Sequence, residues 1–167
     1  AKAKLLYEEI LAVRPDYPFA VGALGAIHLK NKDIKKAEET TLKAIDIIPE
    51  IGFYTQLAEI YKIQGRTEEM TKIMEEVFVM LKDDEDSGHN MNLEYAHIYL
   101  DLLEKPEQAL TYAQKEFDKR PDNIDVNRML ARIYKAKSDQ TMTQKYAVAA
   151  SVTNSKHPEL EPLMAKI

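Results

Sequence analysis

The sequence predicts an all-α protein, a right-handed superhelical solenoid of antiparallel helix pairs, and three observations carry that prediction. Apolar residues recur at three and four, as in Leu57, Ile60 and Tyr61, then Ile73, Met74, Val77, Met80 and Leu81, which is the period of a helix. A five-residue phrase recurs as LGAIH (24–28), LAEIY (57–61), YAHIY (95–99) and LARIY (130–134). Its first residues lie 33, 38 and 35 positions apart. Self-similarity at about 34 residues with two helices per unit marks a helical solenoid.

Prolines punctuate the pattern. Pro15, Pro49 and Pro121 close helices, whereas Pro18, Pro106 and Pro158 stand where helices open. Nine or ten helices of about 11–16 residues follow, with short connections that force antiparallel neighbours. The acidic stretch DDEDSGHN, 83–90, is predicted as a longer connection. A second helix after each phrase repeats its own frame: Ala37, Thr41, Ala44 and Pro49 match Ala3, Tyr7, Ile10 and Pro15. Ala109, Ala113 and Pro121 continue it beside Phe117, then it loosens to Met70, Met74, Val77 and Lys82 in one helix and Met142, Tyr146, Ala149 and Asn154 in the last.

The physical reason for the phrase is close packing. Gly25, Ala58, Ala96 and Ala131 are small because two helix axes approach to about 8–10 Å there. Tyr61, Tyr99 and Tyr134 lie on the same face and fill the space beside the contact. One pair of helices has too little area to bury its face alone, so pairs stack.

Composition narrows the function. Of 167 residues, 45% are hydrophobic and 31% charged, a globular balance. The net charge of −5, from 23 basic and 28 acidic residues, argues against electrostatic capture of nucleic acid. Without cysteine there is no disulfide, thiolate metal site or thiol nucleophile. The longest apolar run, VFVML at 77–81, is far short of the roughly 20 residues of a membrane span. The opening AKAKLLYEEI reads as the inside of a helix, so the chain is expected to come from a longer one, and its compartment stays open.

Tyr54, Leu57, Ala58 and Tyr61 with Gly65 at the turn, and Val21, Leu24, Gly25 and His28, resemble the tetratricopeptide repeat. Asn92 and Asn127 stand where that family's first aromatic belongs. The resemblance implies a half repeat at 1–17, repeats at 18–50, 51–88, 89–123 and 124–156, and at 157–167 the start of a further or capping helix.

Candidate chemistry is sparse. Glu94 and His97 have the i, i+3 spacing of carboxylate-bridged metal sites, but such a site needs two motifs and more glutamates. His28 replaces a packing tyrosine and is expected to pack. Residues 83–94 carry Asp83, Glu85, Ser87, Gly88 and Glu94 at calcium-loop spacing. Glu85 is too long for its place, Asn90 stands where that loop wants an apolar residue, no second loop exists, and the register puts Glu94 on a helix. The preferred reading is a solvated acidic insertion. No phosphate loop, catalytic triad or nucleotide fingerprint is present, so no enzyme activity, metal or cofactor is expected.

The resemblance implies a protein or peptide partner, bound on the face lined by first helices. Phe19, Gly22, Ala26, Leu29 and Lys30 would line one end, then Thr55, Glu59, Lys62 and Ile63. Asn90, Leu93, His97, Leu100 and Asp101 would come next, and Arg128, Arg132 and Lys135 would make the far end basic, ready for acidic groups of the partner. Gly22, Ala26, Gln56, Asn90 and Glu94 occupy the places of the family's carboxylate clamp, which is therefore not expected. The alternative is a structural or oligomerising module of a larger enzyme or envelope protein, self-associating through unfinished ends.

Overall fold

The computed structural model describes residues 2–153 and 157–164, in two compact units, Ala1–Ser87 and Gly88–Ile167. Every regular element among the described residues is helical. The first unit holds α1 (Lys2–Val13), α2 (Pro18–Lys30), α3 (Ile34–Ile47), α4 (Ile51–Gln64) and α5 (Thr67–Asp86). The second holds α6 (Asn92–His97), which runs into a π-helical turn at Ile98–Leu102, then α7 (Pro106–Lys119), α8 (Ile124–Ala136), α9 (Gln140–Ala150) and α10 (Leu160–Met164). Within each unit, successive helices pack on one another.

Local sequence explains where helices start and stop. Pro18 and Pro106 occupy first turns, where a missing N–H costs nothing. The side chains of Asp33, Asn123 and Asp139 accept from the first N–H groups of α3, α8 and α9. Between the two helices of each pair one residue takes a left-handed conformation: Lys32, Gly65, Glu104 and Ser138, with φ of 61°, 71°, 54° and 60°.

The small residues of the phrase are buried in all four first helices. A Cβ on Gly25 would sit 2.5 Å from Gln56 Nε2 and 2.7 Å from Thr41 Oγ1, so α2, α3 and α4 converge there. Around Leu57, Ile60 and Tyr61 the first unit packs Leu29, Ile34, Met70 and Ile73. The second unit's core gathers Ala96, Ala109, Ala113, Met129, Leu130 and Ala147.

The irregular spacing of the phrase has a structural address in each case. The 38-residue interval follows from α5, which has 20 residues where α3 has 14. The six added residues, 81–86, extend its C-terminal end, so Met70, Met74 and Val77 keep the places of Ala37, Thr41 and Ala44. The expected acidic loop is therefore shorter than the sequence suggested: Asp83 through Asp86 are helical, tied by a Lys82–Asp86 ion pair of 2.5 Å, and only residues 87–91 connect. Asp83 and Glu85 thus lie on a helix, not in a calcium-type loop.

The 35-residue interval holds one extra residue, and the π turn absorbs it. In three pairs, the residue before the second helix donates back five positions, Asp33 to His28 O, Arg66 to Tyr61 O and Asp139 to Tyr134 O, each at 2.9 Å. In the third pair Lys105 reaches back six, to Tyr99 O at 2.7 Å, and Leu103 N–H closes the wide turn on Ile98 O.

The last second helix also departs from expectation. Thr143, Ala147 and Ala150 are its buried positions, one residue on from Met142, Tyr146 and Ala149. Tyr146 is buried as well, stacked on Tyr134 at 5.6 Å between centroids. The shift restores the twelve-residue step from Ala131 to Thr143 that Gly25 to Ala37 also shows. Asn154 lies outside the described residues, as do the ends of the two last expected segments.

Candidate functional site

In the first unit the first helices α2 and α4 carry the expected row. Phe19 is 51% exposed, with its ring 5.9 Å from those of Tyr17 and Phe53. Phe53 holds it there by packing on Gly22, whose absent Cβ would fall 2.2 Å from Phe53 Cε1. Gly22 is consequently buried and does not line a surface. Ala26 is exposed and Leu29 half-buried. On α4, the Thr55 hydroxyl donates to Gly52 O at 3.0 Å, and Glu59 and Lys62 lie at the surface with Ile63, which is 55% exposed. Gln56 donates to Thr41 Oγ1 at 2.5 Å and to Gly22 O at 3.3 Å, so its amide joins helices.

A second tie in this unit runs from Arg66. Its guanidinium lies 4.1 Å from the centre of the Tyr61 ring and pairs with Glu38 at 2.6 Å and Glu69 at 3.0 Å. Burial opposes ionisation of Glu38, but hydrogen bonds from Gln64 and Arg66 outweigh it and hold the carboxyl below its usual range.

In the second unit Leu93 is half-buried and His97 exposed. His97 Nδ1 lies 3.2 Å from Arg132 Nη1 and 3.4 Å from Asp101 Oδ2. It belongs to a charge cluster, and Glu94 takes no part in that cluster. Burial pushes Asp101 up, while His97 and the Arg132 charge pull it further down, so its carboxyl is below the usual range.

The basic end is not open. Arg128 and Arg132 are only 15% and 20% exposed, and the chain's own carboxylates meet them. Arg128 pairs with Asp125 at 2.7 Å and with Glu159 at 3.4 Å; Arg132 pairs with Asp101 at 2.5 Å and with Glu159 at 3.6 Å. Lys135 Nζ donates to Pro162 O at 3.0 Å. The acidic group that the sequence assigned to a partner is Glu159, just ahead of α10, and Leu160 and Leu163 are buried behind it. Nothing local in the sequence ties Glu159 to Arg128, 31 residues away; only the fold does.

Sequence reasoning also missed Glu116. This buried glutamate takes the place of Ala44, Val77 and Ala150 in the other second helices. Asn90 and Asn92 donate to it, the latter at 3.2 Å, and Arg120 pairs with it. Asn90, though exposed, therefore turns its amide toward α7. Asn127 donates to Pro121 O at 2.7 Å and Asn123 O at 2.9 Å, leaving its buried Oδ1 without a partner. The signal was present: two polar residues, Asn92 and Glu116, replace apolar ones within one repeat.

Among the described residues no group of three or more His, Cys, Asp or Glu is placed to hold a metal, and no helix is long and apolar enough to cross a membrane.

The geometry defines a class: helix pairs repeated on a common frame, with a small residue at each close approach. No protein-family model and no curated protein sequence matches the chain. Solved structures do. A thermophilic TPR protein of Thermus thermophilus aligns over 95% of this chain and 85% of its own, with TM-score 0.66 and 22% identity. A chain of the APC/C hetero-tetramer Cut9–Hcn1 aligns over 93% of this chain and 29% of its own, with TM-score 0.60 and 16% identity. The fold is that of the tetratricopeptide repeat.

Proposed function

We propose that the chain is a protein-binding scaffold, without catalysis of its own, that takes a peptide or partner segment on its first-helix face. Its repeats are assigned to 18–50, 51–88, 89–123 and 124–156. The observation that carries this reading is the row on α2 and α4, where Phe19 and Ile63 leave more than half their surface in water beside Glu59 and Lys62. Large apolar side chains held outward by a rigid frame lose little entropy on binding. Leu93 and His97 are the contacts proposed for the second unit, taken by itself. Arg128, Arg132 and Lys135 have a different first duty, since they hold the segment around α10.

The assembly in the Cut9–Hcn1 structure supports a protein as the partner class. Selection from a displayed peptide library tests the reading. Selected peptides should lose affinity by about tenfold or more with Phe19→Ala plus Ile63→Ser, at unchanged helical content, and keep it with Val79→Ser on α5. Equal affinity for all three proteins would refute the assigned face.

A further inference from the structure

In the first unit, the row on α2 and α4 ends in positive charge. Lys30, Lys32, Lys35 and Lys36 fall within seven residues around the turn from α2 to α3, and all four are exposed. Two of them are engaged: Lys36 pairs with Asp33 at 3.2 Å and Lys35 with Glu39 at 4.0 Å. Lys30 and Lys32 form no ion pair among the described residues. The carboxylates on hand are already committed. Asp33 caps α3 and also faces His28 at 3.8 Å, while Glu38 is held by Arg66 and Gln64. The dipole of α2 favours a cation in its last turn, which Lys30 provides, but Lys32 lies beyond the helix.

We propose that the segment taken by this face sets acidic side chains against Lys30 and Lys32 and an apolar residue against Phe19, an inference that rests on the reading of α2 and α4 as the binding face. Phe19 lies in the first turn of α2 and Lys30 at its end. At about 1.5 Å of rise per residue they stand about 17 Å apart along the helix. An extended chain covers that distance in about five residues. Midway, Glu59 is exposed on α4 in register with Ala26, and it disfavours acid between the two anchors. The apolar contact supplies affinity, and the lysines fix the direction of the segment and speed its encounter. Arg128 and Arg132 of the second unit have no such charge to offer, since Asp125, Asp101 and Glu159 meet them. Nucleic acid is the poorer occupant, because Asp33 and Glu39 stand among the lysines.

The displayed peptide library is the probe, sequenced after selection on the chain and on its Lys30→Glu plus Lys32→Glu variant. Peptides selected on the chain should be enriched in Asp or Glu about five positions from an aromatic or aliphatic residue. The variant should enrich Lys or Arg at that place instead. One selected peptide, made as its C-terminal amide so that only side chains supply charge, should bind the variant about tenfold more weakly. Changing its acids to lysine should restore that loss. A pool that needs Phe19 and Ile63 but shows no acidic bias, or that the charge reversal leaves unaltered, would overturn this proposal and leave the face standing. A pool indifferent to Phe19→Ala plus Ile63→Ser would overturn the face and this proposal together. Capture of a single-stranded DNA oligonucleotide through Lys30 and Lys32, with no acidic bias among peptides, would overturn it in favour of nucleic acid.

Discussion

Asn92 and Glu116 form a buried pair, the Asn92 amide donating to the Glu116 carboxylate at 3.2 Å where the first repeat buries Val21 and Ala44 together. The carboxylate is matched on three sides, by Asn90, Asn92 and Arg120. Removing one donor leaves a buried charge short of a partner. Asn92→Leu is expected to cost about 1–3 kcal/mol in urea unfolding. Asn92→Tyr combined with Glu116→Ala, which restores the apolar pairing, should cost less than the sum of the singles, with a coupling of about 1–3 kcal/mol. Strict additivity would show that the two residues do not act together.

Acid should loosen both units through named carboxyls. Burial raises the Glu116 carboxyl, but Asn90, Asn92 and Arg120 together pull it below its ordinary 4.5, and Glu38 is depressed in the same direction. A depressed carboxyl stabilises fully above its unfolded value and loses that contribution as pH falls through its folded value. Urea midpoints should therefore drop below about pH 4.5, and the drop should shrink in Glu116→Gln. An identical pH profile for that variant would exclude Glu116 as a cause.

Gly22→Ala should destabilise the first unit, although alanine favours helices. The new Cβ would meet the Phe53 ring at 2.2 Å, and such overpacking costs about 1–3 kcal/mol against a propensity gain of about 1 kcal/mol. Adding Phe53→Leu should recover part of the loss in thermal unfolding. A stabilised single variant would show that the ring moves freely.

Three of the four inter-helix turns bear a side chain at positive φ. Ser138→Gly is expected to stabilise by about 0.5–1 kcal/mol, because relief of left-handed strain of about 1–2 kcal/mol exceeds the entropy cost of glycine. Gly65→Ala should do the reverse. The check is whether the melting temperatures of the two variants move in opposite directions.

The α10 segment is held by two kinds of contact of unequal worth. Leu163→Ala removes a buried side chain and should cost about 2–5 kcal/mol, whereas Glu159→Gln weakens partly exposed pairs worth about 1 kcal/mol or less. Amide exchange in α9 and α10 should accelerate strongly in the first variant and slightly in the second. The opposite order would make charge, not burial, the main fastening.

The frame was legible because it is written locally. The caps at Asp33, Asn123 and Asp139 act within a turn of themselves, and the small residues at 25, 58, 96 and 131 announce their contacts by recurring in one phrase. The surface row was legible only where side chains had no other use. Phe19 and Ile63 stay outside, but Gly22 disappears beneath Phe53, and Asn90 turns to Glu116. Both exceptions depend on residues 26 to 31 positions away, which a helical period does not report.

By itself, then, the sequence determined the helices, their pairing and the small residue at each close approach, since the helical period acts over one or two turns and the phrase recurs once per pair. Tertiary structure decided the rest. It put the added residues of the second repeat into a longer α5 and the single added residue of the third into a π turn, because both solutions keep the buried face in register. It brought Glu159 to Arg128 and Arg132, turning what reads as an open basic end into an internal fastening. Charges choose partners by distance through space, and that distance exists only once the helices have packed.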